Sequence, residues 1–289
     1  MKIVTDCAAD MPSEELERQG ITQAPLFIQF PEGEICSSDI TADEFYDRLE
    51  AMHPVIPTTA QPSGGIFASM YQKIAREDKD ILSLHVSSGL SGTVNAAQIG
   101  GEQVSSQARV TVWDTLTLSG GERFQVLAAS HLSKSGWTLQ AIKDKLAQIR
   151  SKTEVIYTLD TLDYLARGGR IGRVKALAGS LLHLKPVIHV EHSDGKYSTV
   201  ATARTLSKSL AAMAEHLQGM FSDLPVWVTV LHGRIADKAE QLAEILSEKL
   251  NVARSEVLRI SPVLGVHTGP GIVGASVVPI GLMKGLVES

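Results

Sequence analysis

The sequence predicts an α/β protein of two domains: an N-terminal parallel sheet with helices on both faces, and a smaller second α/β domain with a mixed sheet. Three observations support this fold class. Strand-like and helix-like segments alternate through the first half of the 289 residues, a hairpin pattern follows residue 185, and two amphipathic helices flank a later strand. We expect the domain boundary near residue 160, giving domains 1–160 and 161–289 with a ligand between them.

The N-terminal half alternates predicted strands with predicted helices. Its strand-like segments are Ile3–Val4, Pro25–Ile28, Ile81–Val86 and Val110–Trp113. A capping box at Thr41 and Glu44 predicts a helix through Met52. Apolar residues recur on one helical face over 66–75 and again over 139–149. In such sheets ligands bind beyond the carboxyl ends of the strands, and the segment Ser87–Thr93 falls there.

The C-terminal half has a different pattern. Pro186–Val190 and Tyr197–Val200, separated by a turn around Gly195, predict a hairpin. Apolar stripes beginning at Leu206 and at Ile235 predict two helices with a strand between them. These elements form the predicted second layer.

Composition excludes several classes of partner. The chain has 27 basic and 32 acidic residues, a formal net charge of −5, and no basic stretch interleaved with aromatic residues, so we expect no nucleic-acid partner. No uncharged apolar run approaches the ~20 residues of a membrane span, and the first residues lack a signal-peptide core. We therefore predict a cytoplasmic protein without stable membrane insertion.

Three runs rich in hydroxyl groups, glycine or histidine are candidate binding segments. They are Pro57–Ser63, Ser87–Thr93 and His267–Gly271. The second of these joins a predicted strand to a helix start, where unpaired N–H groups and the helix dipole favour an anion. Neutral donors without Lys or Arg suit a small carboxylate that is held and later released. The structural alternative is that these residues only cap helices or form turns.

The two cysteines, Cys7 and Cys36, are too few for a disulfide framework. No CxxC or Cys/His cluster indicates a zinc site, and we expect neither a metal nor a cofactor. Cys7 follows the first strand, where it is either a reactive thiol or a small buried side chain.

Six segments together resemble the DegV family of bacterial fatty-acid-binding proteins, and they occur in the family's order over nearly the whole chain. They are Thr5–Asp10, Thr59–Ser63, Ser88–Thr93, Leu162–Gly172, Leu184–Pro186 and His267–Gly271. The resemblance implies that one long-chain fatty acid, such as palmitate, is enclosed between two α/β domains. It also implies that a separate fatty acid kinase phosphorylates the bound carboxylate to an acyl phosphate.

The resemblance also implies roles for individual residues. Thr59 and Ser91, with Gly92 beside it, match positions that bind the carboxylate, and His267 matches a histidine near the same head group. Arg170 matches an arginine tied to phosphotransfer, so we expect Arg170→Ala to leave fatty-acid binding nearly unchanged. Cys7 and Ala60 stand where the family usually has serine, which would loosen the head-group network.

Physical reasoning agrees with a lipid carrier. Burial of each methylene contributes about 0.8 kcal/mol to binding, so the acyl chain can supply the affinity. The polar contacts to the head group then need only to orient the ligand. The apolar run from Val174 to Leu184 is a candidate tunnel wall or ordinary core. Arg167 and Arg173 are expected on a solvated face, whereas glycines around Arg170 leave its guanidinium free to reach phosphate.

We therefore predict a lipid carrier that is not itself an enzyme. Two other functions remain as alternatives. One is a hydrolase or transferase using Cys7 or Ser91 with His267, although the sequence has no G-x-S-x-G elbow, P-loop or H-E-x-x-H motif. The other is a sensor of a small anion. His267 itself is either a ligand residue or a hydrogen-bonded turn histidine.

Overall fold

The computed structural model describes residues 1–174 and 184–285. Their strands form three sheets, of four, six and three strands. No helix within these two ranges has the length and apolar character needed to cross a bilayer.

The first sheet is entirely parallel, as predicted, in the order β2-β1-β6-β7. Its strands are β1 (Lys2–Asp6), β2 (Thr22–Ala24), β6 (Asp80–His85) and β7 (Arg109–Asp114). Helices cover both faces because alternate strand residues are buried on opposite sides. Val4 and Ile81 pack in one apolar cluster, and Ile3 and Leu82 pack in another.

The helices of this half are α1 (Ser13–Gln19), α2 (Ala42–Ala51), α3 (Gly64–Ile74), α4 (Thr93–Gln103), α5 (Ser119–Lys134) and α6 (Leu139–Lys152). The predicted capping box opens α2: the Thr41 hydroxyl accepts from the Glu44 amide, and the Glu44 carboxylate accepts from the Thr41 amide. α4 begins at the predicted residue, directly after the Ser87–Gly92 segment.

The second sheet is mixed, as predicted, with the order β10-β9-β8-β13-β11-β12. Its strands are β8 (Glu154–Thr158), β9 (Lys185–Val190), β10 (Tyr197–Ala203), β11 (Val226–His232), β12 (Val252–Arg259) and β13 (Val273–Pro279). β9 and β10 form the predicted hairpin, and only β11 and β12 are parallel among its pairs. The short helix α7 (Asp163–Arg167) follows β8. Two longer helices cover one face of the sheet, α8 (Leu206–Phe221) and α9 (Ala236–Lys249). This sheet has more strands than the first.

The change of sheet lies earlier in the chain than the predicted boundary. β8 ends before residue 160, yet it is an inner strand of the second sheet. The chain therefore leaves the first sheet after Asp114 and enters the second at Glu154. The short helix α10 (Pro262–Thr268) also packs back against α2. The division into two domains stays a prediction.

The segment Pro25–Ile28 was wrongly assigned to the parallel sheet. β3 (Phe27–Phe30) instead forms a small antiparallel sheet with β4 (Gly33–Cys36) and β5 (Thr58–Ala60). The two residues between β3 and β4 permit only an antiparallel hairpin, since a parallel connection needs a dozen or more. The register pairs Ile28 with Thr59 and so fixes the position of that threonine.

Candidate functional site

A pocket lies where the three sheets meet, and the empty space inside it is about 570 Å³, which includes space open to solvent. Four predicted site residues line it, and they come from separate segments: Thr59, Ser91, Arg170 and His267. The rest of its wall is largely apolar, including Leu26, Val86, Leu90, Leu118 and Val263.

Thr59 and His267 form the centre of the polar end. Thr59 Oγ1 and His267 Nε2 are 2.8 Å apart, although 208 positions separate the two residues in the chain. His267 lies in the last turn of helix α10, whereas the sequence predicted a glycine-rich turn at this position. Burial, together with the positive charge of Arg170, lowers the pKa of His267 to about 3. The imidazole is therefore neutral at pH 7.

The second ring nitrogen of His267 is unsatisfied. Nδ1 is buried and has no hydrogen-bond partner among the described residues. It faces the backbone of Gly168, where a Cβ would stand 2.3 Å away, so any other residue there would clash with the ring. The Gly-Gly-Arg run thus lets the chain pass close to the imidazole.

Arg170 lies on the wall of the cavity, which differs from the expectation that only neutral donors surround the head group. Its Nη1 donates to the Gly168 carbonyl at 2.7 Å, which holds the side chain against the loop. Arg170 therefore brings a positive charge, with further N–H donors, to the same cavity that Thr59 and His267 line. The sequence runs considered separately did not reveal this, because Arg170 belongs to a different segment.

Ser91 lines the cavity, and Gly92 is not among the lining residues. Ser91 Oγ is 2.8 Å from Thr93 Oγ1 and accepts from the Thr93 amide at 3.3 Å. Gly92 is the N-cap residue of α4 and leaves room for the Gln61 side chain, which itself lines the cavity. A Cβ on Gly92 would stand 2.7 Å from Gln61 Nε2.

A second cavity lies next to the first, further into the interior. The two share Leu118, Tyr197, Leu264 and Thr268 as lining residues, so they are adjacent, and we refer to them as the outer and inner parts of one candidate binding region. The inner part is lined mainly by apolar side chains, which include Val155, Leu231, Ile260 and Ile272. The polar groups of this region are therefore concentrated in its outer part.

This inner wall was not expected from the sequence. Its strand residues lie on β8, β11 and β13, whose largely apolar runs are typical of any strand buried on both faces and do not mark a binding site. Of the predicted tunnel wall, Val174 is buried and Leu184 is half-buried, whereas residues 176, 177, 178, 181 and 182 lie outside the described residues.

The candidate nucleophiles are not paired with His267. Cys7 Sγ contacts the Ala24 carbonyl at 3.5 Å, and burial together with the neighbouring Cys36 raises its pKa well above the usual value. Ser91 is bonded to Thr93, as described above. Ala60 also lines the cavity, beside Thr59.

A chain of hydrogen bonds with the residue types of a catalytic triad exists elsewhere. His85 Nδ1 is 3.0 Å from Asp6 Oδ2, and His85 Nε2 is 2.7 Å from Ser83 Oγ. All three side chains are completely buried in the first sheet and none lines the cavity. A substrate has no access to this group, so the chain braces β1 against β6.

Comparison with known proteins identifies the relatives of this chain. The model of the DegV family, described as uncharacterised proteins, matches residues 1–279. A DegV domain-containing protein of Clostridium perfringens is 34% identical over 276 residues, which cover 95% of this chain and 97% of the relative.

Solved structures with the same fold have been described with fatty acids. A fatty-acid-binding DegV family protein of Thermus thermophilus has a TM-score of 0.89 at 31% identity, covering 96% of this chain and 99% of its own. A stearic-acid-binding protein of Eubacterium ventriosum has a TM-score of 0.84 at 26% identity, covering 96% and 98%. The six resembling segments, the fold and these matches agree: this chain belongs to the DegV family.

Proposed function

We propose that this protein binds one long-chain fatty acid, with the carboxylate at the outer end of the cavity and the acyl chain in the inner part. The observation that carries the proposal is a pair of adjacent cavities, of which the outer has hydroxyl, imidazole and guanidinium groups on its wall and the inner has mainly apolar walls. The fatty acids bound by relatives of the same fold support it.

The acyl chain supplies most of the affinity. Burial of a methylene is worth about 0.8 kcal/mol, so a sixteen-carbon chain contributes on the order of 10 kcal/mol before the costs of ordering it. The head group then serves mainly to fix which end of the ligand faces outward.

The neutral state of His267 gives Thr59 its role. With the proton on Nε2, the imidazole donates to Thr59 Oγ1, and the threonine hydroxyl hydrogen is free to donate to the carboxylate. This tautomer also avoids an unpaired N–H at the buried Nδ1, which has no acceptor among the described residues. Arg170 adds a charge-assisted contact, which is stronger than a neutral hydrogen bond.

The second part of the proposal is presentation of the carboxylate to a separate fatty acid kinase. Arg170 and Ser91 are both partly exposed, so the head-group end is reachable from outside. In the kinase reaction a carboxylate oxygen attacks the γ-phosphorus of ATP, giving an acyl phosphate and ADP. The protein itself carries the substrate and performs no reaction, and it acts in the cytoplasm, where ATP is available.

Copurification tests the binding step. Protein purified from a bacterial host and extracted with organic solvent should yield close to one fatty acid per chain by mass spectrometry. After delipidation, affinity measured by calorimetry should rise steeply from eight to sixteen carbons, by several-fold or more for each added methylene pair. Affinity independent of acyl length would instead favour the sensor of a small anion.

A coupled assay tests the presentation step. Delipidated protein reloaded with palmitate, a fatty acid kinase and ATP should give an acyl phosphate that hydroxylamine traps as a hydroxamate. Arg170→Ala should weaken fatty-acid binding, since the guanidinium lines the cavity, and should reduce hydroxamate further at saturating lipid. Normal hydroxamate formation by the fully loaded variant would remove Arg170 from phosphotransfer.

A further inference from the structure

A second group of polar side chains lies on the other face of the second sheet, away from the fatty-acid cavity. Three histidines converge there on one glutamate: His189 of β9, His192 of the following turn, His216 of α8, and Glu154 at the start of β8. None of the four lines either part of the cavity. The proposed carrier function does not use them.

The distances within this group are short and specific. Glu154 Oε1 is 2.9 Å from His189 Nδ1 and 3.0 Å from His216 Nε2. Glu154 Oε2 is 3.2 Å from His192 Nε2. The candidate ligand atoms of Glu154, His189 and His216 all lie within 4.8 Å of one another.

Glu154 is a deeply buried carboxylate whose ion-pair partners in the described part of the chain are all histidines, which is an unusual arrangement. The Glu154 side chain is 1% exposed, and no lysine or arginine pairs with it among the described residues. An anionic carboxylate in apolar surroundings requires a compensating positive charge.

The chemistry of the group matches one class of ligand. Imidazole nitrogen and carboxylate oxygen are typical zinc ligands, with bonds of about 2.0–2.2 Å in a tetrahedral arrangement. Ligand atoms in such a site are about 3.3 Å apart, from the same bond lengths. The carboxylate–imidazole separations of 2.9, 3.0 and 3.2 Å are close to this value. Mg²⁺ and Ca²⁺ prefer oxygen ligands and fit the histidines poorly.

We propose that Glu154, His189 and His216 bind a zinc ion. His192, whose Nε2 is 3.2 Å from Glu154 Oε2, would complete the ligand set after a change of its side-chain rotamer. The imidazoles of His189, His192 and His216 are 16%, 36% and 28% exposed, so an ion reaches the site from solvent while the carboxylate stays buried.

Glu191 has the position of a supporting residue. Its Oε1 lies 3.3 Å from His189 Nε2, the nitrogen that does not face Glu154. Metal-binding imidazoles commonly donate their other N–H to such a carboxylate, which fixes the ring orientation.

Such an ion would join three separate elements. It links β8, the β9–β10 hairpin and α8, which no described disulfide connects. On the opposite face of β8, Val155 and Tyr157 line the inner cavity. An ion in this position would therefore stabilise the fold. Only strand β8 separates it from the cavity proposed to hold the acyl chain. The sequence offers no compact metal motif for it, because its ligands span 154–216.

Zinc titration of the full chain tests the proposal. Protein without a histidine tag is treated with EDTA, exchanged into a buffer that does not chelate metals, and titrated with ZnCl₂ by calorimetry. We expect one ion per chain with a Kd on the order of 1 μM or below. The melting temperature should also rise with zinc concentration, because the ion binds the folded state.

Variants assign the ion to this cluster. His216→Gln, on a partly exposed side chain, should weaken zinc binding at least tenfold and abolish the visible absorption of tetrahedral Co²⁺ bound in place of zinc. His131→Gln, at the end of α5, is the matched control and should behave like the parent protein. Absence of stoichiometric zinc binding by the parent, or equal binding by His216→Gln and the control, would overturn the proposal.

Discussion

Two histidines of this protein take part in hydrogen-bonded chains with hydroxyl groups, and the surroundings of the two differ. His85 is bonded on both ring nitrogens, to Asp6 and to Ser83, and Ser83 accepts in turn from Tyr71. His267 is bonded on one nitrogen, to Thr59, and its ring lines a cavity.

The difference shows that residue type does not identify a site. The Asp6–His85–Ser83 chain has the composition of a catalytic triad, yet all three side chains are buried and hydrogen-bonded to one another. Its hydrogen bonds therefore stabilise the folded state. The Thr59–His267 pair has unused hydrogen-bonding capacity beside an open volume, so it is available to a ligand. The following predictions test this contrast, from the largest expected effect to the smallest.

His85→Ala should lower the free energy of unfolding by about 4 kcal/mol, because it removes a partner of the buried Asp6 carboxylate and leaves a void. Denaturation with urea measures the change, and the fatty-acid affinity of the folded variant should stay within twofold of the parent. A loss below 1 kcal/mol would show that the chain does not brace the sheet.

Asp10→Asn tests a second buried carboxylate, which is hydrogen-bonded to residues from distant parts of the chain. Asp10 accepts from the Ser261 amide at 2.7 Å and from the Ser119 hydroxyl, and burial raises its pKa to about 6. Because the folded state holds this proton more tightly than the unfolded state, its contribution to stability is fully present below about pH 4. It is lost as the pH rises through about 6.

The comparison of parent and Asp10→Asn isolates this contribution. Relative to the variant, the parent should lose about 2 to 3 kcal/mol of unfolding free energy between pH 4 and pH 7. Urea midpoints at pH 4, 5.5 and 7 measure the difference. A difference that is constant with pH would mean that Asp10 titrates normally.

Thr59→Val should weaken fatty-acid binding about tenfold, equivalent to about 1.4 kcal/mol, because it removes a donor to a charged carboxylate. The free energy of unfolding should also fall by about 1 kcal/mol, because the buried His267 imidazole loses its hydrogen-bond partner. Thr58→Val is the matched control, because Thr58 is the exposed neighbour on β5. Displacement of a fluorescent fatty acid measures both, and equal affinities would remove Thr59 from the head-group site.

Ser276→Ala concerns the inner cavity and has the smallest expected effect. Ser276 Oγ is buried and has no hydrogen-bond partner among the described residues. Its removal should raise the unfolding free energy by about 1 kcal/mol or less, since a buried unsatisfied hydroxyl is unfavourable. Thermal unfolding of delipidated protein checks the sign, and a lower melting temperature would reveal a partner for this hydroxyl.

The sequence by itself determined most of the secondary structure and the family. Helix α2 with its capping box, the β9–β10 hairpin and the strand–turn–helix unit at Ser87–Thr93 all follow from local patterns. Such features depend on residues a few positions apart, where turn chemistry and periodicity are decisive. The six resembling segments supplied Thr59, Ser91, Arg170 and His267 as site residues.

Tertiary structure alone decided which of these segments meet and what lies between them. It placed Phe27–Phe30 in a separate antiparallel sheet, brought the Arg170 cation to the cavity wall, and formed the inner cavity from residues of strands that are distant in the chain. It also gathered three histidines around Glu154. These contacts join positions far apart in the chain, so they depend on how the sheets and helices pack, which no local pattern encodes.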